Sequence, residues 1–434
     1  MTIIILGAGI SGLSAAYHLK QRGIKSIILE KENEYGGLCR SIVINNALFD
    51  YGVHVSFTND DYVKTIFQKS VDGKFIEHEA APCNYWHGFW IPHQPQDHLS
   101  FLPEEIRKEI LIDFIKAYCR KNTKINNYHD WCHHQFGDYF AENFTDVYTK
   151  KFWTVNSEKL TIDWIGNRLH RPDLDTILDS AFGIQRENSH YVTSFRYPKQ
   201  GGYNSFLRLL AQDLTIRYNV YPELIDPAKK EIRLNTGDRI QYDRLISTIP
   251  LPELINCIRD VPERITRAKN NLRWTSLLML NFSINKKSGS SHSQWNYYYD
   301  EDIPYSRIFY MSRFSDLNSP PDSDTIQVEI PYSKDKPLPK GIEALTEEVI
   351  HCLSQTEKIE GEKIHLMGNF NIEYGYVIYD KARTKSVKII REFLDENNIV
   401  YCGRFGEWAY LWSDQAFLSG KIAAETLDIM KELQ

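Results

Sequence analysis

An α/β fold, with one parallel-sheet domain, a helical insertion and a separate antiparallel sheet, is what this chain predicts. Three observations carry the prediction. Residues 2–30 run as an apolar strand, a glycine-spaced turn, a helix and a second apolar strand. Glu104 to Phe144 keeps a helical period, broken near residues 121–127. From Thr275 the apolar residues alternate, in SLLMLNFSI, WNYYYDEDIPYSRIFYMSRF and TIQVEIPY, as antiparallel strands with two unlike faces do.

The first unit is the most informative. Thr2 to Leu6 is short and Ile-rich, as a buried parallel strand should be. Gly7, Gly9 and Gly12 follow as G-x-G-x-x-G, Ser14 to Lys20 reads as helix, and Ser26 to Leu29 as the second strand, ended by Glu30. Gly7 permits the tight turn, Gly9 lets backbone approach a pyrophosphate, and Gly12 lets helix and strand pack closely. The helix start, including Ser11, offers free N–H groups and a positive dipole end to phosphates. Glu30 is placed to accept hydrogen bonds from ribose hydroxyls. The unit therefore binds a dinucleotide, NAD or FAD.

Bulk properties narrow the class. With 434 residues, 42% hydrophobic and 25% charged, the chain holds two or three packed modules. A net charge of −6 gives no general attraction to nucleic acid. Aromatic content of 13%, with 26 Tyr and 9 Trp, suits a pocket that stacks rings and hydrogen-bonds hydroxyls. The seven cysteines (39, 83, 119, 132, 257, 352 and 402) are scattered, form no C-x-x-C and suggest a reducing compartment. A strand starting at residue 2 leaves no room for a signal peptide, and no apolar run reaches membrane-spanning length. The expectation is a cytoplasmic protein, without a membrane span, whose oligomeric state is open and includes a homo-oligomer. His129-Asp130-Trp131-Cys132-His133-His134 invites a zinc reading, but adjacent His133 and His134 point to different helix faces, so no metal site is expected.

Several stretches carry a resemblance. After Glu30, Lys31 leads to Gly36-Gly37-Leu38-Cys39-Arg40, a glycine pair followed by a basic residue. This resembles the second phosphate-contacting loop of the flavin amine oxidase and UDP-galactopyranose mutase superfamily, where the cofactor is FAD. YGVHVSFTND, with His54, is similar to the mutase histidine loop that lies against the flavin, with Val53 in place of a small residue. WHGFWIPHQPQDHLSFLP, read as an irregular loop, matches the mutase segment at Trp90, Pro92 and Gln96, while His93, Asp97 and His98 depart from it. Trp153 and Arg168 keep the fifteen-residue interval of a mutase tryptophan near the uridine and an arginine near the sugar.

FRYPKQGGYNSF resembles the segment that returns the superfamily's chain to the cofactor domain. A helix Ser205–Leu214 and a strand Ile216–Tyr221 follow, with Val220 expected near the adenine. Tyr242 to Pro250 reads as a strand running into a turn beside the cofactor. Trp295, Tyr297 and Arg307 hold the spacing of mutase channel residues and of the arginine that grips the diphosphate; Tyr376 matches a phosphate-contacting tyrosine. At the C-terminal end, Gly403, Arg404, Trp408, Tyr410 and Gln415 match the mutase signature, with Asp414 where Asn is usual. A helix starting near Asp414 is expected to face the flavin pyrimidine ring.

The resemblance implies a Rossmann-like, discontinuous FAD-binding domain (1–78, 200–260 and 385–434), a helical domain (79–199) and an antiparallel sheet domain (261–384) lining a substrate cleft. It implies an isomerase, a sugar-nucleotide pyranose–furanose mutase of polysaccharide biosynthesis. Reduced flavin N5 is then the nucleophile at the anomeric carbon, and NAD(P)H or another reductant primes the cofactor. His54, Arg168, Arg307 and Arg404 are the expected catalytic residues. The nucleoside diphosphate sugar is expected against Trp153, Arg168, Trp295, Tyr297, Arg307, Tyr376, Arg404 and Tyr410. FAD is expected on Gly7, Gly9, Ser11, Gly12, Glu30, Lys31, Gly37, Leu38, Arg40, Val220, Gly403, Arg404, Asp414 and Gln415. The alternatives are an FAD-dependent oxidoreductase of the amine oxidase and protoporphyrinogen oxidase-like superfamily, and a flavin-binding protein without catalysis.

Overall fold

The computed structural model describes residues 1–120, 124–166, 168–184, 192–284 and 293–432. Its fold is mixed α/β. Five parallel strands form one sheet, in the order Ile399–Tyr401, Arg244–Ser247, Ile3–Leu6, Ser26–Glu30 and Thr215–Tyr218. The central strand Ile3–Leu6 is fully buried, as its unbroken apolar run requires. The helix after the glycine turn, Ile10–Gln21, begins earlier than its apolar period suggests, because Gly12 lies inside the helix and not before it.

A seven-stranded sheet carries the opposite wall. Its order is Ile364–Val377, Trp274–Ile284, Asp324–Tyr332, Arg307–Tyr310, Trp295–Tyr298, Cys83–Trp86 and Phe89–Pro92. The strands between Trp274 and Val377 pair antiparallel throughout, as their alternation predicts; the sheet is then extended by Cys83–Trp86, which pairs in parallel with Trp295–Tyr298. One correction to the sequence reading arises here. The stretch from Trp86 is not wholly irregular: Phe89–Pro92 is a strand hydrogen-bonded to Cys83–Trp86. The prolines end that strand and do not prevent it, because it lies at the sheet edge, where a missing N–H costs nothing.

The two faces of this sheet differ. Leu278, Leu280, Phe282, Ile326, Val328 and Ile330 pack against Leu345, Val349 and Leu353 of the helix Ile342–Thr356. The alternate residues Asn281, Gln327 and Glu329 are polar and equally buried. Gln327 Nε2 donates to Asn281 Oδ1 (2.9 Å) and to the Asp50 carbonyl (3.0 Å), so this second face is closed over by the glycine-turn domain.

Helices Glu104–Cys119, Tyr128–Phe136 and Asp146–Phe152 belong to the helical insertion; residues 121–123 of the expected break lie outside the described residues. The expected helix Ser205–Leu214 is instead a 3-10 turn, Tyr203–Leu207, followed by one short helical turn, Arg208–Ala211. The C-terminal helix Ser413–Glu432 lies on the first helix. Ser11 Oγ donates to the Ala416 carbonyl (2.8 Å) and Ser14 Oγ to that of Phe417 (2.7 Å). A β-carbon at Gly420 would fall 2.1 Å from the Ser11 carbonyl oxygen, so the contact needs glycine there. No described helix is long and apolar enough to cross a membrane.

Candidate active site

The glycines of the first turn divide into two physical kinds. A β-carbon at Gly7, whose φ is +94°, would lie 2.5 Å from Thr248 Oγ1, and one at Gly12 would lie 2.0 Å from the Gly7 carbonyl oxygen. Both are glycine because the protein's own atoms leave no room. Gly9 differs: its φ is −68°, which any residue adopts, and a β-carbon there would meet nothing closer than Gly37 Cα at 3.9 Å. Folding alone does not require glycine at residue 9. A dinucleotide pyrophosphate laid against the adjoining Gly9 and Gly37 turns would.

The surroundings fit such a group. Gly9 caps the first helix with no side-chain hydrogen bond and no acid follows in its first turn, so its end N–H groups remain open to an anion. Gly36 N donates to the Ala8 carbonyl (2.9 Å), which brings the second glycine pair beside the first. Glu30 is buried and held by the amides of Ala8 (2.6 Å) and Glu32 (3.0 Å), which fixes a carboxylate where ribose hydroxyls can donate to its remaining lone pairs. The Val220 amide closes on the Glu30 carbonyl (2.9 Å) beside it.

Other residues expected on the cofactor have partners of their own. Ser11 Oγ and Gly403 are in the helix contact, a β-carbon at Gly403 lying 2.4 Å from that oxygen. Arg40 is buried, pairs with Glu32 (3.1 Å) and covers the Tyr51 ring. Lys31 is exposed, 4.0 Å from Glu253, and Leu38 packs beside Leu277, Met279 and Ile372. Gln415 Oε1 accepts from the Trp412 amide (2.9 Å), the reaching-back half of a capping box, so Asp414 sits in the first helical turn and not at the cap.

Beyond the glycine turns lies an aromatic chamber holding three arginines. Arg168 Nη1 and Nη2 donate to the Trp164 (2.7 Å) and Tyr410 (2.8 Å) carbonyls, and its guanidinium lies 4.5 Å from the Tyr410 and Trp412 ring centres. Arg404 donates to the Leu411 (2.6 Å) and Gly375 (3.3 Å) carbonyls and sits 4.7 Å from the same Tyr410 ring. Among the described residues no carboxylate pairs with either, and both Nε atoms are buried without a partner. Desolvation pushes the Arg404 guanidinium below its ordinary pKa, and the like charge of Arg168 adds to the effect.

Arg307 is different. Glu329 takes its Nε (3.1 Å) and Nη2 (2.7 Å) in a forked pair, and the Tyr376 hydroxyl closes on the same Nη2. Its charge is thus already met by an acid, unlike that of Arg168 or Arg404 among the described residues. Trp153 and Tyr376 (6.2 Å between ring centres) and Trp153 and Tyr410 (5.4 Å) wall the space, and Tyr297 stacks on His93 at 4.7 Å. Trp295 is turned elsewhere: its ring contacts are Phe195 and Phe314, in the core. His54 closes on the Gly52 carbonyl through Nδ1 and lies 5.4 Å from the Tyr203 ring; burial pulls its pKa down to about 4.

Sequence reasoning named His93 only as a departure from the family segment, and placed neither Glu329 nor Tyr148 among the site residues. Tyr148 stands 5.7 Å from Tyr297 and burial raises its phenol well above the ordinary range. For Glu329 the signal was present. Its strand Asp324–Tyr332 alternates, which reads as one wet face, yet a glutamate beside Gln327 in a central strand is also what a buried polar face looks like.

A family model described as flavin containing amine oxidoreductase matches residues 10–427. The chain belongs to that family. FAD binding follows from membership, in agreement with the fit at Gly9 and Gly37. The chain is 24% identical over 163 residues to the mitochondrial protoporphyrinogen oxidase of Nicotiana tabacum, covering 35% of this chain and 31% of that one. It is 20% identical over 387 residues to the all-trans-retinol 13,14-reductase of Rattus norvegicus, covering 76% and 62%. The chain thus spans about a third of the tobacco enzyme's length. Among solved structures, reduced UDP-galactopyranose mutase superposes with a TM-score of 0.93 at 24% identity, over 99% of this chain and 96% of that one. Putrescine oxidase superposes at 0.67 and 15% identity, over 99% and 100%.

Two outcomes follow from the site geometry. Gly12→Val should fail to fold, whereas Gly9→Val should fold, losing about 1 kcal/mol at the helix cap, and purify colourless. Circular dichroism and flavin absorbance on both variants check this; a yellow Gly9→Val protein places the pyrophosphate elsewhere. For His54, the unfolded chain takes up a proton near pH 6.5 that the folded chain refuses until about 4. Stability should therefore be unaffected by His54 above pH 6.5 and fall as pH drops from 6.5 toward 4. Urea midpoints across that window should decline less steeply in His54→Asn than in the wild type.

Proposed function

We propose that this protein is an FAD-dependent sugar-nucleotide pyranose–furanose mutase. The observation that carries the reading is the pair Arg168 and Arg404, two guanidiniums flanking one phenol ring with no acid beside them among the described residues. A cationic amine would be repelled there. A diphosphate, with two negative charges and oxygen lone pairs at fork spacing, is the ligand such a pair is short of. The TM-score of 0.93 with UDP-galactopyranose mutase supports the same reading at the level of fold.

FAD, when bound and reduced, supplies a nucleophile for the anomeric carbon. The chain's own residues do the rest. Arg168 and Arg404 hold the leaving diphosphate within reach of the sugar, so that it can return to the same carbon. Arg307, oriented by Glu329, offers its remaining edge without adding net charge. Tyr297, Tyr376 and Tyr410 are neutral donors that hydrogen-bond phosphate and sugar oxygens, while Trp153 and Phe152 exclude water. His54 stays an uncharged imidazole over the neutral range and neither repels nor neutralises the ligand. A nucleoside diphosphate sugar is the proposed substrate, and NAD(P)H or another reductant the priming agent.

A second reading is favoured by the relatives, which are named as oxidases and reductases. It is an FAD-dependent oxidoreductase acting on an acidic substrate.

Binding distinguishes the arginine roles. Arg168→Ala or Arg404→Ala should weaken binding of UDP, GDP or TDP by tens-fold or more, a cost of about 2–5 kcal/mol, with FAD retained. Arg307→Ala is the less clean test, because it strands Glu329 as an unpaired buried acid. Calorimetric titration of each variant decides; wild-type affinities in both Arg168→Ala and Arg404→Ala overturn the diphosphate site.

Turnover distinguishes the reactions. Incubated under nitrogen with a panel of sugar nucleotides after one priming reduction, the mutase should form many isomers per reducing equivalent. If no isomer forms, and a substrate bleaches the oxidised flavin one for one, the oxidoreductase reading stands instead.

A further inference from the structure

The helix Tyr128–Phe136 places His129 and His133 one turn apart on the same face. The sequence reading weighed His133 against His134 and found divergence; the converging pair is His129 with His133, their ring centres 4.0 Å apart. Asp146 comes to meet them from the start of the helix Asp146–Phe152. Its Oδ2 lies 3.0 Å from His129 Nδ1 and 3.1 Å from His133 Nε2. Its Oδ1 is buried and accepts no hydrogen bond from the described residues. One nitrogen or oxygen from each of the three residues lies within 4.8 Å of the others.

We propose that His129, His133 and Asp146 form a binding site for a divalent transition-metal ion, with zinc as its natural occupant. Two imidazole nitrogens and one carboxylate are a donor set that suits zinc and its first-row neighbours. Bonds of about 2.0–2.1 Å at tetrahedral angles put donor atoms about 3.3 Å apart, and both Asp146–histidine separations lie within a few tenths of an ångström of that. The supporting shell is present as well. His133 Nδ1 faces the Asp138 carboxylate at 2.8 Å, and Asp138 is in turn paired with Arg120 at 2.8 Å. A carboxylate on the far nitrogen of a ligand histidine fixes its tautomer with the near lone pair toward the metal. Ser157 Oγ, 3.4 Å from His129 Nδ1, borders the fourth position, which a water completes.

The place of the site in the fold gives it a task. The helix that begins at Asp146 carries Tyr148 and Phe152 and ends at Trp153, which are walls of the arginine chamber. The helix with the two histidines begins at Tyr128, whose ring meets Trp164 at 5.0 Å, and Trp164 meets Trp153 at 5.0 Å. A metal bonded to both helices clamps one against the other and holds the chamber's aromatic wall in position. The site shares no residue with the chamber, so this role is structural.

The test uses the untagged, FAD-loaded full chain, stripped with chelator and titrated with Zn²⁺. One equivalent should bind and raise the thermal midpoint, and X-ray absorption at the zinc edge should show two imidazoles and oxygen. Asp146→Ala and His133→Gln should abolish the stoichiometric site. Asp138→Asn keeps every ligand and should weaken the site by about 10- to 100-fold. His351→Gln, on a different helix, should leave it intact. Should a variant fail to fold, the absorption spectrum of the wild type still decides. No stoichiometric uptake, or uptake unchanged in Asp138→Asn and Asp146→Ala, overturns the proposal and leaves the cluster as a proton-bridged ion pair.

Discussion

The contact between the first helix and the last is the constraint on which the molecule depends. Ser11 and Ser14 hydrogen-bond the carbonyls of Ala416 and Phe417, and Gly420 lets the two backbones touch. Each helix begins within a turn of that contact, so two positive dipole ends lie side by side beyond the carboxyl end of the central strand Ile3–Leu6. Everything that binds charge is arranged from there. The glycine turns sit in front of one helix end, and Arg404 and Tyr410 lie on the segment that leads into the other.

Opposite stands a sheet whose two faces are both dry. Its apolar face is an ordinary core against one helix. Its polar face buries Asn281, Gln327 and Glu329, each of which would cost several kcal/mol if left alone. The Gln327 amide nitrogen donates to Asn281 and the Asp50 carbonyl, while its Oε1 is buried without a partner among the described residues, and Glu329 is met by Arg307. The pair at Arg307 is thus self-sufficient, whereas Arg168 and Arg404 are held only by carbonyls and ring faces. Within one chamber the fold keeps one arginine neutralised and two without an acid among the described residues.

How much of this was readable in the sequence depends on the range of the interaction involved. Local rules placed the strand, turn and helix of the first thirty residues, since glycine spacing and an apolar run act over a few residues. They also told Gly7 and Gly12 from ordinary loop glycines, but not that Gly9 alone is spared by the protein's own atoms. Alternation in the strand Asp324–Tyr332 gave its direction and its two faces, yet not that both are buried, because that depends on what the rest of the chain lays over it. Trp295 kept a family-like interval and still points into the core with Phe314. His129 and His133 were legible as helical neighbours; Asp146, thirteen residues on and across a helix break, was not.

The parallel sheet draws its strands from both ends of the numbering, with Ile399–Tyr401 closing one side and the helix from Ser413 covering the turn. On a ribosome, at roughly 5–20 residues per second, about 400 residues take on the order of 20–80 seconds to appear. Through that interval the glycine turns and the strand after them have no covering helix. Cofactor capture is therefore a late event in biosynthesis, and the nascent chain must be kept from aggregating through its apolar first strand until the segment beyond Ser413 has emerged.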